Sequence, residues 1–237
     1  MKTAYYLSVL NIFISSCTLD QTNTEIPSDG VDVVKRETIS KDTVDVEDTV
    51  LFVVPESGFI TMQNYAEGFV YDMKYATEDN FLKKKVYNCE ECWLRKEVAD
   101  ALIKTNKIFI ERGYRIKFFD CYRPLDVQKI MWKIYPDARY VANPHASGSI
   151  HNRGGAVDIT LVDMKGNELD MGTTFDHFGK EAHHSYTELS NTVLDNRKFL
   201  KTIMEANGFS SISYEWWHYN HKNARQYKLS NFQTECK

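Results

Sequence analysis

Residues Ser149 to Asp158 read Ser-Ile-His-Asn-Arg-Gly-Gly-Ala-Val-Asp, and this stretch constrains the chain more than any other. His151 and Asp158 stand seven positions apart, with Gly154-Gly155 between them and an apolar, strand-like run from Ala156 to Val162 closing the stretch. Glycines beside a histidine let the backbone turn sharply or approach another group closely. An imidazole and a carboxylate brought together by such a turn are two ligands of a catalytic zinc site, which needs a third ligand and an open position. Glu215-Trp216-Trp217-His218 supplies a histidine with a carboxylate nearby. Its spacing carries a tension, because residues three apart on a straight strand point to opposite faces. If Glu215 and His218 serve one site, a bulge or a short helical turn must separate them.

All seven histidines lie at or beyond His145, so imidazole chemistry belongs to the C-terminal part of the chain. A net charge of −4 is too mild to point to a nucleic-acid partner. With 237 residues, 43% of them hydrophobic, the chain can bury one substantial core.

The N-terminus reads as a targeting segment. Met-Lys-Thr precedes a mainly apolar run from Ala4 to Ile14, which matches an export signal. The run is shorter than the ~20 residues that span a bilayer. It ends Ile14-Ser15-Ser16-Cys17, which resembles the lipobox of bacterial lipoproteins. Residues 1–17 are therefore read as a lipoprotein signal, with Cys17 as the lipidated residue and multiple acyl chains as the membrane anchor. Thr18 to Val50 has no aromatic residue and sets nine Asp or Glu against three Lys or Arg. Such a stretch buries too little apolar surface to offset its ordering entropy, so 18–54 is expected to be a flexible acidic linker. The domain is expected at 55–237, exported and held in the bacterial cell envelope, on the periplasmic side.

Within the domain, elements of both kinds are predicted. Gly68–Tyr75, Tyr114–Phe119, Ala156–Val162 and Ser211–Tyr219 read as strands. Leu94, Val98, Leu102, Thr105 and Phe109 recur at helical spacing, with Gly113 as the stop. Pro124 suits the first turn of a helix over Leu125–Tyr135. Ser190 is placed to cap a helix reaching Asn207, closed by Gly208. The order of elements lacks regular βαβ alternation and predicts an α+β fold.

Arg123 sits in Asp120-Cys121-Tyr122-Arg123-Pro124, at a strand-to-helix turn. Peptide hydrolysis at zinc develops negative charge on the carbonyl oxygen, which a fixed guanidinium would stabilise. Glu215 is the carboxylate placed to move the proton. Ser-x-His-x-x-Gly-x-Ala-x-Asp at Ser149–Asp158, Glu-Trp-Trp-His at Glu215–His218 and Tyr-Arg-Pro at Tyr122–Pro124 together resemble the zinc D-alanyl-D-alanine dipeptidases. That family includes the vancomycin-resistance dipeptidase. Tyr71–Thr77 with Asn80-Phe81, and Met171–Asp176 with His183-His184, extend the resemblance.

The resemblance implies a hedgehog/DD-peptidase-like zinc fold, a mixed sheet with flanking helices. It implies one Zn2+ per chain on His151, Asp158 and His218, with Glu215 as general acid/base and Arg123 stabilising the transition state. Asp176 would face the substrate's free ammonium, and Ser149 and Tyr75 would line a small pocket. The implied reaction is hydrolysis of D-Ala-D-Ala or related short D-amino-acid dipeptides, in turnover of cell-wall peptides. Two alternatives stand beside it: a zinc carboxypeptidase trimming peptidoglycan stem peptides, and a non-catalytic, metal-stabilised binding domain. Glu215 and Arg123 together argue against the last, since a structural site needs neither.

Cys89, Cys92, Cys121 and Cys236 remain once Cys17 is set aside. A disulfide suits an exported chain, and Cys92 can pair with Cys89 or with Cys121. A bridge to Cys121 would pin the turn that carries Arg123. His183-His184 reads as loop structure, and His145, His177 and His221 as surface.

Overall fold

A computed structural model describes residue 55 and residues 57–234. The expected signal, Cys17 and the expected linker lie outside the described residues. The fold is α+β. In chain order come β1 (Phe59–Thr61), α1 (Met62–Tyr65), β2 (Val70–Tyr71), β3 (Trp93–Arg95), α2 (Lys96–Ile110), β4 (Tyr114–Asp120), α3 (Leu125–Ile134), β5 (Ala156–Asp163), α4 (Asn191–Ala206), β6 (Phe209–Ile212) and β7 (Glu215–His221). Five strands form a mixed sheet in the order β2-β4-β5-β7-β6. β2 runs parallel to β4 and the other neighbours are antiparallel. β1 and β3 make a separate antiparallel pair. Among the described residues no helix is long and apolar enough to cross a membrane.

The centre of the sheet is β5, whose β-branched residues suit a strand and whose first seven residues are all buried. α2 lays Val98, Ala99, Leu102, Thr105, Asn106 and Phe109 into the core at intervals of three or four. α4 starts where Ser190 Oγ accepts a hydrogen bond from the Val193 amide at 3.3 Å, and the chain turns at Gly208 with φ of +95°. Removing the apolar faces of these helices and strands from water is the main favourable term in folding the domain.

Two expectations are corrected. Gly68–Tyr75 is not one strand: pairing stops at Tyr71, and Lys74–Ala76 forms a 3-10 turn. Burial overrides the alternation, since Tyr75 packs edge-on against Phe81, Tyr87 and Phe175. Ser211–Tyr219 is not one strand either, but the hairpin β6–β7. Its turn at Ser213-Tyr214 contains no glycine or proline, so the usual hairpin signal is missing.

Cys92 and Cys121 form a disulfide, and both are fully buried. Cys89 is also disulfide-bonded, so Cys89 and Cys92 are not joined to each other. The last described residues brace the back of the Ser149–Gly155 turn. The Ser230 amide donates to the Asn152 carbonyl at 2.8 Å, the Asn231 side chain accepts from the Asp126 amide at 2.9 Å, and Phe232 stacks on Phe59.

Candidate metal centre and active site

Three strands converge on one point. Asp158 on β5 is registered opposite Asp120 on β4 on one side and His218 on β7 on the other. His151 arrives from the turn that leads into β5. A short 3-10 turn over His151–Arg153 ends at Gly154 with φ of +69°, a left-handed conformation that favours glycine. A Cβ on Gly155 would lie 2.2 Å from the Ala224 Cβ. Both glycines are thus required for the chain to double back and bring Asp158 to His151.

His151 Nε2, Asp158 Oδ1 and His218 Nδ1 form a triangle with sides of 2.9, 3.1 and 3.3 Å. Ligands ~2.0–2.1 Å from a tetrahedral zinc stand about 3.3 Å apart, so the triangle is close to the right size. Hydrogen bonding prepares both imidazoles as ligands. His151 Nδ1 donates to the Cys121 carbonyl at 2.6 Å, which leaves Nε2 with its lone pair inward. His218 Nε2 donates to Asn220 Oδ1 at 2.9 Å and leaves Nδ1 inward. All three residues are buried. The donor set, with one carboxylate and two neutral imidazoles, fits a divalent cation with an open fourth position.

Glu215 stands beside this triangle, with Oε2 3.8 Å from His218 Nδ1. The tension over its spacing is resolved as expected. One step on β6, from Ser211 to Ile212, spans Tyr219 back to Glu215 on β7, so the ladder is irregular between the two functional residues. Burial first, then the charges of Asp158 and Asp176, hold the Glu215 carboxyl well above the usual range. A bound divalent cation works in the opposite direction. Burial also raises Asp158, but without a cation the charge of a protonated His151 and hydrogen bonds from both histidine rings outweigh it and pull this carboxyl far down.

Arg123 is buried and clamped. Its Nε and Nη2 donate to Asp120 Oδ2 at 3.1 and 2.5 Å, and its Nη1 donates to Gln128 Oε1 at 2.9 Å. Asp120, fully buried, also accepts from the Tyr87 hydroxyl at 2.7 Å. The guanidinium lies 3.8 Å from Asp158 Oδ2 and over the Tyr75 ring. Opposite it, the Tyr75 hydroxyl donates to Asp176, 3.1 Å from each carboxylate oxygen. Asp176 holds φ of +59°, uncommon for a non-glycine residue. Burial, then the Asp158 charge, push its carboxyl up to about 8.

The structure brings every predicted site residue within the described chain into one cavity of about 300 Å³: Tyr75, Arg123, Ser149, His151, Asp158, Asp176, Glu215 and His218 all line it. Ser149 Oγ also accepts from the His151 amide at 3.2 Å, which ties it to the metal-bearing turn. The loop after α3 contributes Arg139 to Ala142 to the wall. His183 lies outside the triangle and bonds the Tyr140 hydroxyl at 3.2 Å. His221 departs from its surface reading: as the last residue of β7 it is buried against Phe209.

Sequence reasoning missed the residues that orient the others. Asp120 and Gln128 fix Arg123 without lining the cavity, and Asn220, which does line it, fixes His218. Asp120 left one signal, an acid ending a strand three residues before an arginine.

The family model described as D-Ala-D-Ala dipeptidase matches residues 55–235. A D-alanyl-D-alanine dipeptidase of Escherichia coli (strain K12) is 38% identical over 165 residues, covering 70% of this chain and 85% of its own. The D-alanyl-D-alanine dipeptidase of Enterococcus faecium is 33% identical over 184 residues, covering 69% of this chain and 91% of its own. A solved vancomycin-resistance D,D-pentapeptidase, in complex with Zn(II), aligns with 57% of this chain and 76% of its own at 15% identity and a TM-score of 0.36. The family match takes in every strand and turn that carries a ligand, and the buried donor set is one a metal-dependent peptidase requires. The chain belongs to the D-Ala-D-Ala dipeptidase family of metallopeptidases.

Proposed function

We propose that the chain hydrolyses D-Ala-D-Ala, or closely related short D-amino-acid dipeptides, with one Zn2+ per chain on His151, Asp158 and His218. The observation that carries this reading is the pair Tyr75–Asp176 in the same cavity as the ligand triangle. A dipeptidase must read a free amine close to the scissile bond, and a carboxyl group does that, because an arriving ammonium favours its ionised form. Zinc, when bound, supplies Lewis-acid polarisation and eases deprotonation of a water. Glu215 takes a proton from the attacking water and returns it to the leaving amine. Arg123, already fixed by Asp120 and Gln128, meets the negative charge that develops on the carbonyl oxygen without having to reorganise. Asp176 holds the substrate ammonium, and Ser149 and Tyr75 close the pocket around the short chain.

A second reading, trimming of peptidoglycan stem peptides, has one observation in its favour. A neighbouring cavity of about 340 Å³ shares Phe81 and Asp176 with the first, so there is space beyond the amine-reading carboxylate. The deciding experiment incubates the metal-loaded protein with D-Ala-D-Ala, L-Ala-L-Ala and a wall pentapeptide and measures released amine. Cleavage of D-Ala-D-Ala alone is expected; cleavage of the pentapeptide alone would overturn the dipeptidase reading.

The N-terminal sequence supports a place for this activity. We propose that Cys17 is lipidated and anchors the enzyme to a membrane of the cell envelope, where it turns over wall peptides. Labelled fatty acid should enter the wild-type chain and not Cys17→Ala; equal labelling of both would rule the anchor out.

A further inference from the structure

The Cys92–Cys121 bridge meets the ligand set at one atom. The Cys121 carbonyl accepts the His151 Nδ1 proton at 2.6 Å and so determines which imidazole nitrogen faces the metal position. Around that carbonyl, the two turns are tied to each other and to β3. The Tyr122 amide donates to the Trp93 carbonyl at 2.9 Å, the Arg123 amide to the His151 carbonyl at 3.1 Å, and the Asn152 side chain to the Arg123 carbonyl at 2.8 Å. The disulfide is the covalent member of this set and joins β3's approach to the end of β4 across 29 residues.

We propose that the Cys92–Cys121 disulfide is a positioning element of the metal site, so that thiol oxidation and metal affinity are linked. The inference rests on the reading of His151, Asp158 and His218 as the metal set. Its reasoning is that outer partners of a ligating histidine set ring orientation and basicity, and losing one typically costs ~10–100-fold in affinity. Reduction by a dithiol breaks the S–S bond, places two electrons and two protons on Cys92 and Cys121 as thiols, and closes the dithiol into its own disulfide. The Cys121–Tyr122 peptide then keeps only its hydrogen bonds, and the acceptor of His151 loses its covalent restraint. Linkage makes the effect reciprocal: a bridge that tightens metal binding is itself stabilised by the metal to the same degree. If export carries the chain to an oxidising compartment, the bridge also ties metal retention to arrival there.

Two measurements test this on the whole chain. Zn2+ affinity is measured by competition with a chromophoric chelator for the wild type and for the Cys92→Ala/Cys121→Ala pair, with thermal melting alongside. A tenfold or greater weakening in the variant is expected. A melting temperature that falls while affinity stays within twofold makes the bridge purely structural and overturns the proposal. The second measurement needs no variant. The bridge's reduction potential is read in dithiol buffers with and without Zn2+, following Cys92 and Cys121 by mass mapping to separate them from Cys89. Tenfold linkage corresponds to a potential about 30 mV lower with Zn2+; identical potentials refute it. Absence of Zn2+ binding in either redox state overturns the metal assignment itself, and the linkage with it.

Discussion

The floor of the cavity and its rim are built differently. On the floor, Asp158 and His218 are held by strand register, Arg123 by a buried carboxylate and an amide, and His151 by a turn with two obligatory glycines. On the rim, Asp176 sits in a loop in a left-handed conformation, its carboxyl group met by the Tyr75 hydroxyl and the Phe81 backbone. Around it stand aromatic rings from three loops: Phe178 packs against Phe81, Tyr135 and Tyr140. Ring contacts fill space and tolerate repacking, whereas a ladder slip of one residue would turn Asp158 to the other face. The part that performs proton transfer and charge stabilisation is therefore rigid, and the part that reads the substrate's end is adaptable.

This contrast predicts that floor substitutions lower kcat and rim substitutions raise KM. Glu215→Gln should reduce kcat by roughly 10²–10⁴-fold with metal content unchanged; a protein stripped of metal by this change would make Glu215 a ligand instead. Arg123→Lys should cost about 10²–10³-fold in kcat with little effect on KM, since Lys keeps the charge and loses the fixed fork. If KM carried the loss, Arg123 would belong with the rim.

Asp176→Asn should raise KM for D-Ala-D-Ala by roughly 10–100-fold, the scale of a charge-assisted hydrogen bond, and leave kcat within a few-fold. It should also narrow the preference for the free dipeptide over its N-acetyl form. An unchanged preference would show that another group reads the amine. The smallest effect concerns stability without metal. Asp176 titrates near 8 in the fold and near ~3.9 in an unfolded chain. Between these values the folded state keeps a proton that the unfolded state has lost. Its contribution is thus complete below about pH 4 and lost as the pH rises through 8. Melting temperatures of the chelator-treated protein should fall over that window, and the fall should be shallower in Asp176→Asn.

The floor was also the more legible half in the sequence. His151, Asp158, Glu215 and His218 announce themselves because metal and proton chemistry admit few residue types, and because two glycines mark the turn. Even the irregularity within Glu215–His218 followed from counting faces along a strand. The hairpin turn at Ser213-Tyr214 was not legible, since its residues carry no turn signature. Tyr75 was expected on a strand and lies on a tight turn, because the cavity's aromatic packing decides its place. Asp120 signalled its pairing with Arg123 only by its spacing, and its burial and its bond to Tyr87 depend on the folded neighbours. The Cys92–Cys121 choice likewise had to wait for the β3–β4 geometry.

The brace formed by Ser230, Asn231 and Phe232 has a consequence for how the protein is made. Synthesis delivers His151 first and His218 sixty-seven residues later, and the segment that supports the His151 turn from behind comes later still. A nascent chain therefore holds an incomplete donor set until His218 has emerged. Its cation site closes only after His218, and the brace behind the His151 turn only after Ser230 to Phe232, have emerged, so assembly of the catalyst waits for residues far downstream of its first ligand.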